Sequence, residues 1–180
     1  MPHARVGVRQ RTTLVSVVVV SLSLTAPATF AQQPSTPDAA AMRLFAAAAD
    51  ISTLVARAEA EREPDQPNFV QPVLQLPPYR LNLEYRVAGL NAPASVHSRE
   101  AELFLVLEGS GTAVTGGRLR DETRRNAENL SGSGIEGGES QQISKGDVLV
   151  VPENTPHWFS PSGGERLVLL SLHLPRSATP

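Results

Sequence analysis

The chain contains no cysteine. That removes disulfides, thiolate metal ligands and cysteine nucleophiles together. Aromatic residues are also scarce, at 4%, so aliphatic side chains must fill any core. No charge of one sign dominates, since 16 Lys and Arg face 18 Asp and Glu. Such a balance creates no field that would attract nucleic acid or an anionic lipid surface. A long hydrophobic run is missing too. The apolar stretch from Leu14 to Leu24 falls short of the ~20 residues that a membrane helix needs.

That stretch has a different use. Arg5, Arg9 and Arg11 precede it without any acid, and small residues follow it, which is the order of a secretory signal. Residues 1–31 are read as a signal peptide, cleaved after Ala28 or after Ala31. The mature protein is then periplasmic or secreted, with no stable membrane insertion and no nucleic-acid partner. An uncleaved anchor is the competing reading of the same segment. Gln10 separates Arg9 from Arg11, which favours general secretion over a twin-arginine route. Losing these three arginines takes the formal net charge from −2 to −5. In an oxidising compartment, a chain without cysteine is held by packing alone.

Residues 32–36 form a polar linker. Thr36-Pro37-Asp38 then supplies a capping hydroxyl, a proline suited to the first helical position and an acid for the dipole. A helical segment is expected over 37–63, stopped by Pro64, with Leu44, Ile51, Leu54, Val55 and Ala58 near helical spacing. Asp50 can also cap a second helix starting at Ile51. The expected role is structural, lying against the following domain or a neighbouring subunit. Residues 64–78 are a proline-rich connection.

From Tyr79 the pattern changes to short strand-like runs between glycine and proline turns, up to about Pro175, followed by a tail over 176–180. Leu81, Leu83, Tyr85 and Val87 alternate. Later runs cover Leu103 to Leu107, Gly111 to Val114, Asp147 to Val151 and Arg166 to Leu174. Val148 to Val151 is apolar on both faces, as a core strand would be. Regular short strands of this kind indicate an all-β sandwich or barrel. Gly116 to Glu139 breaks the rhythm. It is polar and glycine-rich, carries Arg118, Arg120, Arg124 and Arg125, and reads as a long solvated loop. Asn129-Leu130-Ser131 is a glycosylation sequon, relevant only in a eukaryotic secretory route.

Two constellations carry chemistry. The first is Gly89, five residues, Ser95-Val96-His97, four residues, Glu102, six residues, Gly109. The second is Gly146, five residues, Pro152-Glu153-Asn154, two residues, His157, then Pro161. Here the sequence resembles the cupin family, whose first motif has His-x-His, a glutamate and flanking glycines, and whose second has Gly, Pro-x-Gly, His and Asn. The resemblance covers about residues 79–175 and implies a cupin-like jelly-roll β-barrel, here with an N-terminal helical segment. It also implies a homodimer and a small-molecule ligand or substrate. Three positions depart from the pattern: Ser95 for the first histidine, Asn154 for a glycine and Pro161 for the asparagine. Asparagine also enters left-handed conformations.

The residues themselves support three ligands. Ser95 and His97 are two apart, so both face one way on a strand. Glu102 opens the next apolar run and can point inward with Phe104 and Val106. His157 opens a strand after the turn at 152–156. Two neutral imidazoles and one carboxylate bind a divalent first-row ion and leave coordination positions free. His97, Glu102 and His157 are therefore the expected metal ligands, with Fe(II) or Mn(II) favoured and Zn(II) also suited. A competing register pairs His97 with Arg99, but it shortens the spacing to Glu102; in the preferred one, Arg99 and Glu100 sit at the pocket rim. On the last strand, Val168, Leu170 and Leu172 make the apolar row expected to be the better buried. His173, on the other row, is placed beside the metal shell or in solvent, with replacement of the missing ligand as the alternative. One of Trp158 and Phe159 should line the pocket and the other pack outside.

As an enzyme, such a barrel would be a dioxygenase, isomerase or lyase acting on a small oxygenated molecule. Beyond Glu102 no general base stands out, and Tyr85 and Glu108 are the conceivable helpers. The alternatives are a non-catalytic barrel that binds or senses a small molecule, and a structural dimer joined through its edges and helix.

Overall fold

Short β-branched and aliphatic runs, punctuated by glycine and proline, become thirteen strands in the computed structural model, which describes residues 44–176. The expected signal peptide, the linker, the start of the helical segment and residues 177–180 of the tail lie outside the described residues. In chain order the elements are α1 (Ala48–Glu61), β1 (Asn68–Leu76), β2 (Tyr79–Val87), β3 (Ala94–His97), β4 (Glu100–Glu108) and β5 (Ser110–Thr115). There follow β6 (Arg118–Arg120), β7 (Thr123–Arg124), β8 (Asn129–Gly132), β9 (Gly134–Glu136), β10 (Glu139–Ser144), β11 (Val148–Val151), β12 (His157–Pro161) and β13 (Arg166–Pro175).

The strands form two antiparallel sheets and a small ribbon. One sheet runs β1-β2-β13-β4-β11, the other β10-β5-β12-β3-β8-β7, and β6 pairs with β9. This is a jelly-roll barrel. Between the sheets, Phe104, Val106, Ala113, Ile143, Val151, Phe159, Leu167 and Leu169 make one apolar cluster. A second cluster covers the outer side of the five-stranded sheet, where Val55 and Ala58 of α1 pack with Val73, Leu83, Tyr85 and Val168. Full burial of such a side chain stabilises by roughly 1.5–3 kcal/mol, and the few aromatics present, Phe104, Phe159 and Tyr85, join the aliphatic residues in these clusters.

Within the described residues the helix begins at Ala48. Asp50 sits inside its first turn and accepts the N–H of Ala47 at 3.0 Å, so it caps backwards rather than starting a second helix at Ile51. Leu44 lies before the helix and is exposed. Ile51, Leu54, Val55 and Ala58 form the packed stripe, and Gln71 of β1 donates to the Leu54 carbonyl at 2.7 Å. The helix therefore lies on the barrel of its own chain. No helix among the described residues is long and apolar enough to cross a membrane.

Three local expectations are corrected. Val148 to Val151 is an edge strand, not a core strand: among the described residues β11 pairs only with β4, and Val148 and Val150 are exposed at 62% and 54%. Residues 116–139 are not a plain loop. They fold into β6 to β9, and β8 pairs with β3 to extend a barrel sheet. The strands there are short and polar, so they leave no apolar period to read. Gly132 is needed at this junction, because a Cβ would meet the Arg120 carbonyl oxygen at 2.4 Å.

The third correction concerns β13. Leu167, Leu169, Ser171 and His173 are buried, whereas Leu170 and Leu172 are only half-buried. The polar-ended row faces the space between the sheets, and α1 covers part of the opposite row. Both faces of this strand are enclosed, so hydrophobicity alone does not tell inside from outside.

Candidate metal centre

Two strands from each sheet meet at one end of the barrel. In the six-stranded sheet, His97 ends β3 and His157 begins β12, and His157 lies opposite Ser95 in the ladder. In the five-stranded sheet, Glu102 on β4 lies directly opposite His173 on β13. Strand alternation sends Glu102, Phe104 and Val106 to one face, and all three are buried. It likewise sends His157 and Phe159 inward, while Trp158 turns out and donates its indole N–H to the Ala92 carbonyl at 2.8 Å. The Phe104 and Phe159 ring centres lie 4.5 Å apart in a tilted pair, and the Phe104 ring lies 5.8 Å from that of His157.

The turn before β12 fixes the two histidines against each other. Asn154 adopts φ 59°, the left-handed conformation expected of it, and its N–H donates to the His97 carbonyl at 2.8 Å. Donor atoms of His97, Glu102 and His157 all lie within 4.8 Å of one another. The group can therefore share one ion. His97 Nε2 is 3.2 Å and His157 Nε2 is 3.0 Å from Glu102 Oε2.

The outer nitrogens decide the tautomers. His97 Nδ1 is 2.5 Å from Asn129 Oδ1, and His157 Nδ1 is 3.2 Å from the Thr155 carbonyl. Asn126 Oδ1 accepts from the Asn129 side-chain amide at 2.9 Å, which leaves Asn129 Oδ1 turned to the imidazole. Each Nδ1 thus faces an acceptor and carries the proton, leaving a lone pair on Nε2. Glu102 Oε2 is correspondingly buried without a hydrogen-bond partner among the described residues. Two lone pairs and a carboxylate oxygen point at one another, which is unfavourable unless a cation lies between them. This donor set fits a divalent metal.

His173 touches the same carboxylate from outside that three-residue group. Its Nε2 is 3.0 Å from Glu102 Oε1, and its Nδ1 is 2.9 Å from Glu100 Oε2. Arg80 in turn holds Glu100 at 2.7 Å. Of the placements expected for His173, solvent is ruled out by its burial, and its register opposite Glu102 sets it beside the expected ligands. Glu100 is at the rim as expected. Asn129 was read only as part of a sequon, yet its side chain is committed to His97.

Protons substitute for a cation when no metal is present. Burial pulls the His97 imidazolium down, but contact with the Glu102 carboxylate outweighs it, so His97 is raised. His173 behaves likewise: burial lowers it, and Glu102 with Glu100 raises it further despite Arg80. Burial pushes the Glu102 acid up, but the surrounding imidazoles hold it far below the usual carboxylate range.

The conceivable helpers Tyr85 and Glu108 lie elsewhere. They line a surface cavity of ≈ 550 Å³ with Val87 and Arg166, where Arg166 donates to Glu108 at 2.8 Å. None of the clustered histidines borders it.

A family model described as Cupin matches residues 78–174. Among solved structures, a protein from Bacillus halodurans superposes with a TM-score of 0.50 at 16% identity, covering 78% of this chain and 87% of its own. A Thermus thermophilus protein gives 0.49 at 18% identity, covering 67% and 94%. A Klebsiella pneumoniae protein with a double-stranded β-helix domain gives 0.49 at 16% identity, covering 67% and 88%. No curated protein is similar enough to this chain to be matched to it.

Proposed function

The chain belongs to the cupin family, and we propose that its barrel is a metal-dependent centre for a small oxygenated molecule, with His97, Glu102 and His157 as ligands. The observation that carries this is the buried Glu102 Oε2, which has no hydrogen-bond partner among the described residues although two imidazole Nε2 atoms stand 3.2 and 3.0 Å away. Two imidazoles and a carboxylate favour Fe(II) or Mn(II), with Zn(II) also suited. When bound, such an ion supplies Lewis-acid or one-electron chemistry, and the activity we infer is that of a dioxygenase, isomerase or lyase.

The chain's own residues would prepare the site. Asn129 and the Thr155 carbonyl hold the two imidazoles in the tautomer that presents Nε2. Phe104 and Phe159 keep water from one side of the centre. Ser171 Oγ is fully buried without a partner among the described residues, on the same inward row as His173, and offers a polar contact to a bound molecule. We also propose that the protein is exported, on the strength of its basic and then apolar N-terminus. A homodimer could pair along β11, where Val148 and Val150 are exposed.

Metal analysis of the purified full chain, prepared both aerobically and anaerobically, tests the central reading. About one equivalent of a divalent metal is expected, and it should be absent from His157→Ala. A wild-type chain that takes up no stoichiometric metal under either condition overturns the proposal. With metal bound, dioxygen uptake across a panel of phenols, diketones and sugars separates an oxygenase from an isomerase or lyase.

A further inference from the structure

We propose that His173, on the last strand, is a further protein ligand of this centre and supplies the imidazole that Ser95 does not. The inference rests on the metal-centre reading above and extends its ligand set beyond the two sequence motifs.

Three observations lead to it. His173 and Glu102 are directly opposed between β13 and β4, so their side chains leave the sheet on one face. The His173 ring lies 5.5 Å from that of His97, close to the 5.3 Å between His97 and His157. Its Nε2 points at Glu102, 3.0 Å from Oε1.

The strongest observation is on the other side of the ring. Nδ1 faces a Glu100 oxygen at 2.9 Å. A carboxylate can only accept, so Nδ1 keeps a proton toward Glu100, and Nε2 becomes a donor to an ion when that ion displaces the proton it shares with Glu102. His97 and His157 follow the same plan with an amide oxygen and a backbone carbonyl as acceptors. His173 has the stronger acceptor, and Arg80 holds that acceptor at 2.7 Å. A carboxylate behind an imidazole is the arrangement that fixes metal-bound histidines and raises their basicity.

Ser95 explains why the last strand is needed. It is half-buried on β3, two residues before His97 and opposite His157, and its neutral hydroxyl is a poor substitute for an imidazole. Each sheet then contributes two donors: His97 and His157 from one, Glu102 and His173 from the other.

Cobalt(II) bound to the full-length chain tests this through X-ray absorption, whose multiple scattering counts coordinated imidazoles. Three imidazoles are expected in the wild type and two in His173→Ala, with affinity falling by more than the roughly 10–100-fold that loss of an outer partner costs. Glu100→Gln should keep three imidazoles and weaken binding by about 10-fold. Cobalt bound with two imidazoles in the wild type overturns the proposal while leaving the metal centre standing. Failure of the wild type to bind cobalt overturns both. The wild-type count requires no variant, so a His173→Ala chain that does not fold leaves the test intact.

Discussion

Two carboxylates are buried on strands of the same sheet, and they are satisfied in different ways. Glu84 on β2 is 7% exposed and lies opposite Leu169 of the inter-sheet core. Arg86 reaches it at 2.5 Å, and Asn68 donates to the same oxygen at 3.1 Å. The Arg86 guanidinium also stands 5.2 Å from the centre of the Phe159 ring. Glu102 on β4 is 3% exposed, and its ion-pair partners among the described residues are imidazoles, with no arginine or lysine. A guanidinium stays charged at every accessible pH, whereas an imidazole carries its charge conditionally. Glu84 is therefore a closed structural pair. Glu102 is an open one, whose compensating charge has to come from protons or from a metal.

Exchanging the two roles gives the largest expected effects. Glu102→Gln should lower metal affinity by at least about 100-fold, beyond the range of outer-partner losses, as measured by competition with a chelator of known affinity. Arg86→Met should do the reverse. It leaves Glu84 buried without a cation, which costs about 3–5 kcal/mol of stability, while metal stoichiometry stays unchanged. Urea titration of both variants checks the contrast. Equal losses of metal by both would mean that the two acids belong to one site.

The comparison also has a pH signature. Raised pKa values for His97 and His173 contribute stability that is present below the ordinary 6.5 and is lost as pH rises through the folded-state values. The depressed Glu102 contributes stability that is present above its ordinary 4.5 and is lost as pH falls through its folded-state value. Metal-free protein should thus be most stable in mildly acid solution and weaken as pH rises above 6.5. Metal affinity should rise over the same interval, because the ion displaces protons from the imidazoles. Thermal melts with and without metal should therefore diverge as pH increases. Parallel curves would show that the metal does not engage this cluster.

The readable part of the molecule was the part with strict spacing. Glycine, proline and histidine intervals located the barrel, and period-two alternation put Glu102, Phe104 and Val106 on one face, where they are found. What escaped was set by partners far away in the chain. Val148 and Val150 look like core residues until one knows that nothing pairs beyond β11 among the described residues. His173 looks peripheral until the β13–β4 register brings it opposite Glu102. The 116–139 segment has too few apolar residues to announce strands, yet its β8 hydrogen-bonds to β3 through the backbone, and backbone pairing leaves little trace in side-chain composition.

That segment supplies the smallest and most local test. Asn126 Oδ1 accepts from the Asn129 backbone at 2.9 Å and from its side-chain amide at 2.9 Å. The remaining Asn129 oxygen then meets His97 Nδ1 at 2.5 Å. Asn129→Ala removes the acceptor that keeps the proton on Nδ1, so some His97 rings will turn their lone pair outward. Metal affinity should fall by about 10-fold, the lower end of outer-partner losses, and the imidazole count at saturating metal should not change. Asn129→Asp restores an acceptor and should recover most of the affinity. If both variants bind metal like the wild type, His97 is held by its strand and the Asn154 contact alone, and the inserted strands serve the barrel rather than the metal.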